Sequence, residues 1–191
     1  MSEAQKEGIL DGVVCYLAGQ IDFAKDHGKN IRQRIRDLAK QKNINISFID
    51  PTQKIHGHTE EVGLAKANID KLRREERYDE LREFMKKVVR TDLRCVDVSD
   101  LLIVYLDPDI HTCGTYSELN VAIQQKKPVF VIIEGGKTKA PLWLFGIMHH
   151  EFIFSSEEEC MDCLDKLNKG EKPISSRWVL FRKALKEMAK E

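Results

Sequence analysis

The sequence predicts an α/β domain in which a five-stranded parallel sheet carries helices on both faces. Three observations lead there. First, short apolar runs alternate with helical patterns: the strand candidates are Gly12 to Ala18, Asn45 to Ile49, Leu101 to Leu106, Val129 to Ile133 and Glu151 to Phe154. Strands of parallel sheets are buried on both sides, so they read as nearly continuous apolar runs separated by helices. Second, Leu101-Leu102-Ile103-Val104-Tyr105-Leu106 leads into a loop, Asp107 to Thr115, that closes on Gly114-Thr115. A helical stretch with Glu118 in its first turn and a second run, Pro128-Val129-Phe130-Val131-Ile132-Ile133, complete one right-handed βαβ unit. Third, 191 residues suffice for one domain with a filled core and are few for two. A single domain over residues 1–191 is therefore expected.

The remaining elements follow in order. Ile31 to Gln41 reads as the first helix, with Ile31, Ile35 and Leu38 near helical spacing. Asp50-Pro51 opens a polar loop to about Asn68, and a long charged helix runs from Ile69 to about Val89. Its Arg73-Arg74-Glu75-Glu76-Arg77 run reads as a solvated face. Thr91 then caps a short helix that begins at Asp92 and ends near Ser99. Eight helical residues rise about 12 Å, antiparallel to a strand of roughly 20 Å. Asp92 is thereby carried back toward the carboxyl edge of the sheet, while Asp97 and Asp100 lie lower, as cap or solvent residues. Ser176 to Glu191 reads as a final amphipathic helix with Trp178, Phe181 and Leu185 on one side.

Five strands of this kind arrange most simply in the order 2-1-3-4-5, the flavodoxin-like, Rossmann-like topology. Ligands of such sheets bind where the order reverses, outside the carboxyl ends of the strands. Here that crevice lies between Gly19-Gln20-Ile21-Asp22 and the segment from Asp107 to Glu118.

Composition narrows the function classes. Acidic and basic residues balance at 31 each, so no global field recruits nucleic acid or an anionic membrane. No apolar stretch approaches membrane-spanning length, and Met1 to Gly8 is polar, unlike a signal peptide. An odd set of five cysteines fits a reducing, cytoplasmic setting better than a disulfide framework. Cys160-Met161-Asp162-Cys163 has the spacing of a zinc half-site or redox pair, yet no second pair accompanies it and the segment reads as a surface helix. His56-Gly57-His58 and His149-His150 have no carboxylate or cysteine at ligand spacing. No metal and no cofactor is expected.

Glu118 is the candidate reactive group. A carboxylate in the first turn of a helix feels the positive end of the dipole and stays ionised. With a tyrosine hydroxyl and a second carboxyl group nearby, it suits displacement at an anomeric carbon, as in retaining glycosidases.

Tyr16-Leu17-Ala18-Gly19 resembles the Tyr-x-Ala-Gly or Tyr-x-x-Gly opening of the nucleoside 2-deoxyribosyltransferase family. Asp92-Leu93, ahead of a helix closing on Asp100, is similar to that family as well. So is Gly114-Thr115-Tyr116-Ser117-Glu118-Leu119-Asn120 followed by Lys127-Pro128-Val129. The resemblance covers roughly Val13 to Phe154, and Val88 to Phe154, with Trp143-Leu144-Phe145-Gly146 and His150-Glu151, looks like a phage-type branch. It implies that Glu118 is the nucleophile glycosylated at C1′, that Tyr16 positions it, and that Asp92 assists the leaving base. It implies that Gly19 and Gly114 leave room for the sugar; by their place in the two crevice loops, Gln20, Thr112 and His111 are the candidate substrate-binding residues. The implied partners are a 2′-deoxynucleoside and a purine or pyrimidine base, and family members complete their sites across a subunit interface, so a homo-oligomer is expected.

Two departures bear on specificity. Thr112 and Cys113 stand where many such transferases carry an acidic residue before the loop glycine, so base preference does not transfer. The related deoxynucleoside 5′-monophosphate N-glycosidases carry Ser and Arg after the first glycine to hold phosphate. Here Gln20, Ile21 and Asp22 follow Gly19, which tilts the reading toward unphosphorylated nucleosides. The expected activity is transfer of deoxyribose between bases. Its rivals are an N-glycosidase acting on deoxynucleosides or their monophosphates and a nucleotide-sensing module without turnover.

Overall fold

The computed structural model describes residues 8–21, 28–53 and 62–180, the side chains of 62–66 excepted. Asp22, His56, His58, Phe181 and Leu185 lie outside them. Among the described residues, five parallel strands form one sheet in the order β2-β1-β3-β4-β5. They are β1 (Val14–Gly19), β2 (Ser47–Ile49), β3 (Leu101–Leu106), β4 (Val129–Ile133) and β5 (Ile153–Phe154). The expected α/β fold with this strand order is the one observed. Strands β2 and β5 are shorter than the apolar runs foretold, as edge strands with a single neighbour.

The helices are α1 (Lys29–Gln41), α2 (Val62–Arg74), α3 (Tyr78–Val98), α4 (Cys113–Gln124), α5 (Leu142–Ile147) and α6 (Glu157–Asn168). Alternation of side chains along the strands divides the core in two. Cys15, Leu17, Leu101, Ile103, Phe130 and Ile132 pack on one face with residues of α1 and α6. Tyr16, Ala18, Leu102, Val104, Val129 and Val131 pack on the other with residues of α3, α4 and α5. Tyr16 thus faces the layer that holds α3 and α4.

Two helical expectations are corrected. The charged helix from Ile69 to Val89 is two helices, because α2 closes in a Schellman motif at its centre. Glu76 takes a left-handed φ of 55°, Arg77 N–H donates to Leu72 at 2.9 Å and Glu76 N–H to Arg73 at 3.2 Å. Burial of Leu72 holds that end in place. Conversely, the short helix capped by Thr91 does not exist as such. Helix α3 runs through this position, and the Thr91 hydroxyl donates back to the Lys87 carbonyl at 3.0 Å instead of capping. Ser176 to Leu180 is turn and irregular chain, the rest of that expected helix lies outside the described residues, and Trp178 packs on Phe130 and Phe152.

The carboxyl end of α3 is fastened to the sheet. Lys127, 8 % exposed, donates its ammonium to the carbonyls of Val96 and, at 2.9 Å, Asp97. Asp100, expected as a cap or solvent residue, is buried, and its carboxylate accepts from Val14 N–H at 2.9 Å. These bonds set the height of α3 against β1. Replacing Lys127 with Met takes the ammonium from both carbonyls, although Val96 keeps the Ser99 amide and hydroxyl as donors, so urea unfolding should show a loss of about 1 kcal/mol. A variant as stable as wild type would show that these carbonyls find other partners.

Candidate active site

Helix α4 buries Thr115, Glu118, Leu119 and Ala122, the i, i+3, i+4, i+7 stripe of an amphipathic helix. Glu118 is the acidic member of an otherwise uncharged stripe, and 7 % of it is exposed. Because α4 starts at Cys113, Glu118 lies in its second turn, not its first. The dipole effect fades beyond the first turn, so the expectation of a dipole-held carboxylate is corrected.

Tyr16 meets this carboxyl. Its hydroxyl donates to Glu118 Oε1 at 2.8 Å, and the tyrosine is 1 % exposed. Burial, then the charges of Glu118 and Asp92, push the Tyr16 hydroxyl far above the ordinary tyrosine range, so it remains a neutral donor. Asp92 comes from α3, is half-buried, and acts electrostatically on both Tyr16 and Glu118. Burial pushes the Glu118 carboxyl up, the Tyr16 bond pulls it down, Asp92 pushes it up and Arg32 pulls it down. The outcome is a pKa of about 7, against an ordinary 4.5. Cys95, between these groups on α3, is raised to about 11 by burial, Asp92 and Glu118.

The other expected site residues surround this centre in different states. Gly19 ends β1, where a Cβ would stand 3.0 Å from the Tyr105 carbonyl. Gln20 is 5 % exposed, and its amide is engaged by the protein. It donates to the carbonyls of Asp107 at 2.7 Å and Ile110 at 3.3 Å, and accepts from Asp107 N–H at 2.9 Å. Gln20 therefore straps the two crevice loops together. Thr112 is the N-cap of α4, and its hydroxyl donates to Thr115 Oγ1 at 2.8 Å. Gly114 is exposed, and a Cβ there would meet no atom within 4 Å. His111 is exposed on the loop. Leu106, at the end of β3, is 1 % exposed and belongs to the core.

Sequence periodicity missed Arg32. It stands three residues before buried Ile35, on the inward face of α1, and is itself 2 % exposed. That register was the one available signal. Cys160 and Cys163 lie on α6, as expected for a helix, but both are buried, so the surface reading is corrected. Among the described residues no group of three or more His, Cys, Asp or Glu side chains could hold a metal ion. Nor, among them, is any helix long and apolar enough to cross a membrane.

A buried carboxyl paired to a tyrosine, at the carboxyl edge of a 2-1-3-4-5 sheet and beside a second carboxyl group, defines an α/β protein with an acid-based site. A family profile described as nucleoside 2-deoxyribosyltransferase matches residues 15–156, and the chain belongs to that family. The family acts on nucleosides and bases as small-molecule substrates, and the fold agrees with it. The fold is similar to a 2-deoxyribosyltransferase from the psychrotolerant bacterium Bacillus psychrosaccharolyticus, at 13 % identity and TM-score 0.50, covering 87 % of this chain and 96 % of that one. It is similar to a conserved protein from Enterococcus faecalis V583, at 17 % identity and TM-score 0.51, covering 84 % and 99 %. A Clostridium botulinum CMP N-glycosidase aligns at 15 % identity and TM-score 0.40, over 80 % and 98 %. No curated protein sequence matches the chain significantly.

The raised carboxyl carries a stability consequence. The folded state binds the Glu118 proton more tightly than the unfolded chain does, so wild-type stability falls as pH rises from 4.5 to about 7. Glu118→Gln escapes this loss, which amounts to roughly 3 kcal/mol for such a shift. Relative to wild type, the variant should gain stability between pH 4 and pH 8, as read by thermal unfolding. A difference that stays constant with pH would place the carboxyl near its ordinary value.

Proposed function

We propose that the protein transfers 2-deoxyribose between bases through a covalent intermediate on Glu118. The observation that carries this reading is the 2.8 Å hydrogen bond from buried Tyr16 to buried Glu118 at the carboxyl edge of the sheet. Ionised Glu118 attacks C1′ of the deoxynucleoside as the C1′–N bond breaks, and the base departs with the bonding pair. Asp92 supports protonation of that base. A second base then attacks C1′ through its nitrogen as the C1′–O bond to Glu118 breaks. Its N–H proton passes to Asp92, which gave up a proton to the first base, and two displacements give retention. Tyr16 fixes the carboxyl orientation and steadies the charge that returns to it on release.

A hydrolase shares the first half-reaction and differs in using water for the second. Favouring transfer, the groups walling the crevice are largely committed to one another: Gln20 and Thr112 spend their polar atoms within the protein. Fewer groups are then left to order a water. Cytoplasmic placement and a single domain over the whole chain belong to the same proposal.

Two experiments test it. A 2′-deoxynucleoside incubated with a different free base should yield the exchanged nucleoside faster than free deoxyribose, by chromatography. Its rate should climb with pH toward a midpoint of about 7, because the attacking carboxyl must be ionised. Glu118→Ala should lower base release by more than about a thousandfold, and Tyr16→Phe by about tenfold, the worth of one hydrogen bond. Sugar release indifferent to added base would make the protein a hydrolase, and absence of any cleavage would leave a binding module. The second experiment concerns assembly. Leu142 at 87 %, Trp143 at 73 % and Phe145 at 44 % exposure form an apolar patch on α5, which we assign to contact with another copy. Light scattering at micromolar concentration should show an oligomer, and a monomer would remove that assignment.

A further inference from the structure

The ladder between β1 and β3 ends with Gly19 paired to Tyr105, whereas β3 goes on to Leu106, paired with Ile133 of β4. Past Gly19 the main chain leaves the sheet for α1, and the Gly19 carbonyl accepts from Arg32 Nη2 at 3.1 Å. The β1 side of β3 therefore has one place at its end where no strand backbone stands. The side-chain amide of Gln20 fills it. Oε1 accepts from Asp107 N–H at 2.9 Å, and Nε2 donates to the Asp107 carbonyl at 2.7 Å and the Ile110 carbonyl at 3.3 Å. A carboxamide carries the donor and acceptor of a peptide group, so it stands in for the next residue of β1. The opposite amide orientation would face oxygen against two carbonyls, so these partners fix the orientation.

What the amide holds is the root of the loop that walls the crevice. Asp107 to Ile110 form a turn around Pro108, with Ile110 N–H on the Asp107 carbonyl at 3.1 Å and Asp109 N–H on Asp107 Oδ1 at 2.9 Å. Those bonds close the turn on itself. Gln20 takes its first and last residues together and joins them to β1. His111 and Thr112 follow, the first exposed on the rim and the second at the N-cap of α4. Two carbonyls take both hydrogens of the amide, and the residue is 5 % exposed, so Gln20 has no hydrogen to offer a substrate.

We propose that Gln20 is a positioning residue of the site: it holds the 107–112 loop as a fixed wall of the crevice and so sets the affinity for nucleoside without touching it. The assignment rests on the reading of the crevice as a deoxynucleoside site. Glu118 is held by other means, since Tyr16 bonds its carboxyl and Leu119 and Ala122 bury α4 against the sheet. Loss of the strap lowers the fraction of molecules whose crevice is shaped to bind, and affinity falls by that fraction. A nucleoside once bound still meets Glu118 in place.

The test separates binding from reaction in the full chain. Binding of a deoxynucleoside is read by calorimetry in the Glu118→Gln parent, where cleavage does not compete, and kcat is read in the active protein. Gln20→Ala removes all three bonds. Added to the parent it should raise Kd about tenfold, while kcat of the Gln20→Ala enzyme stays within about threefold of wild type. The penalty should be equal for purine and pyrimidine nucleosides and for one lacking its 5′-hydroxyl. A penalty that vanishes with any of these would make Gln20 a direct contact and overturn the proposal. Gln20→Glu supplies the conservative rescue. Its protonated carboxyl accepts from Asp107 N–H and donates to one carbonyl, whereas the ionised form sets a charge against both. Its Kd should lie near that of the parent at about pH 5 and rise by about fivefold or more toward pH 8. Asp107 and His111 of the loop, Glu134 after β4 and Arg32 of α1 are common to all the proteins compared, so the difference belongs to residue 20. A difference from the parent that does not change with pH, or a tenfold loss of kcat with Kd unchanged in Gln20→Ala, overturns the proposal. If Gln20→Ala is unfolded by circular dichroism, the pH series of Gln20→Glu decides alone. A wild type that cleaves no deoxynucleoside sinks the transferase reading, whereas calorimetry still decides the role of Gln20. A parent that binds no deoxynucleoside overturns both.

Discussion

A carboxyl group buried on the inner stripe of a helix must be satisfied from inside the protein, and here the Tyr16 hydroxyl does this for Glu118. Much else in the structure serves that contact. Tyr16 is reachable because β1 is a central strand, with β2 and β3 on its two sides. Its side chain points toward the layer of α3 and α4 because alternate residues of β1 face opposite layers. Helix α4 in turn is pinned at its far end by a Schellman motif, with Lys126 at φ 58° and the Lys127 N–H on the Ala122 carbonyl at 3.0 Å. The next residue, Pro128, feeds β4, so the height of α4 above the sheet is set within a few residues of its end.

Holding a carboxyl this way has an electrostatic cost that the protein does not erase. Burial and Asp92 oppose ionisation, Tyr16 and Arg32 favour it, and the balance leaves the group about half ionised near neutrality. Such a group is a poor structural element, and its desolvation, orientation and titration near neutrality suit the nucleophilic role proposed for it. Arg32 and Gln20 address different parts of the same problem. One fastens β1 to α1 through backbone carbonyls, and the other fastens β1 to the loop after β3. Both are polar residues buried at the edge where the sheet order reverses, and a crevice held open there needs polar ties because loops carry backbone groups that an apolar core cannot satisfy.

Much of this was legible in the chain. The runs at Leu101–Leu106 and Val129–Ile133 are long and wholly apolar, and they coincide with β3 and β4. The strand order follows from alternation, and the Tyr16 and Glu118 motifs point to the pair that the structure joins. The errors have separate physical causes. Thr91 looked like a cap because threonine favours that place, but inside a continuous α3 its hydroxyl has a backbone carbonyl of its own helix to use. The break at Glu76 has no glycine or proline to announce it; a buried Leu72 and two backbone bonds impose a left-handed glutamate. Glu118 was placed a turn too early, since α4 starts at Cys113, ahead of Gly114 and not after it. Arg32 and Gln20 gave no local sign because their partners are carbonyls, which every residue has.

The sequence by itself determined the α/β class, the order of the strands, and which carboxyl and tyrosine stand at the reversal of the sheet. The first two are consequences of apolar patterning and of the handedness of crossovers, and the third of the resemblance that Tyr16-Leu17-Ala18-Gly19 and Gly114-Thr115-Tyr116-Ser117-Glu118 bear to the family. Tertiary structure alone decided that Glu118 is buried, that its proton is held to about pH 7, and that Arg32 counters Asp92 there. Ionisation depends on the dielectric and on the surrounding charges, and residues 32 and 92 act on residue 118 only when three different helices pack on the same sheet.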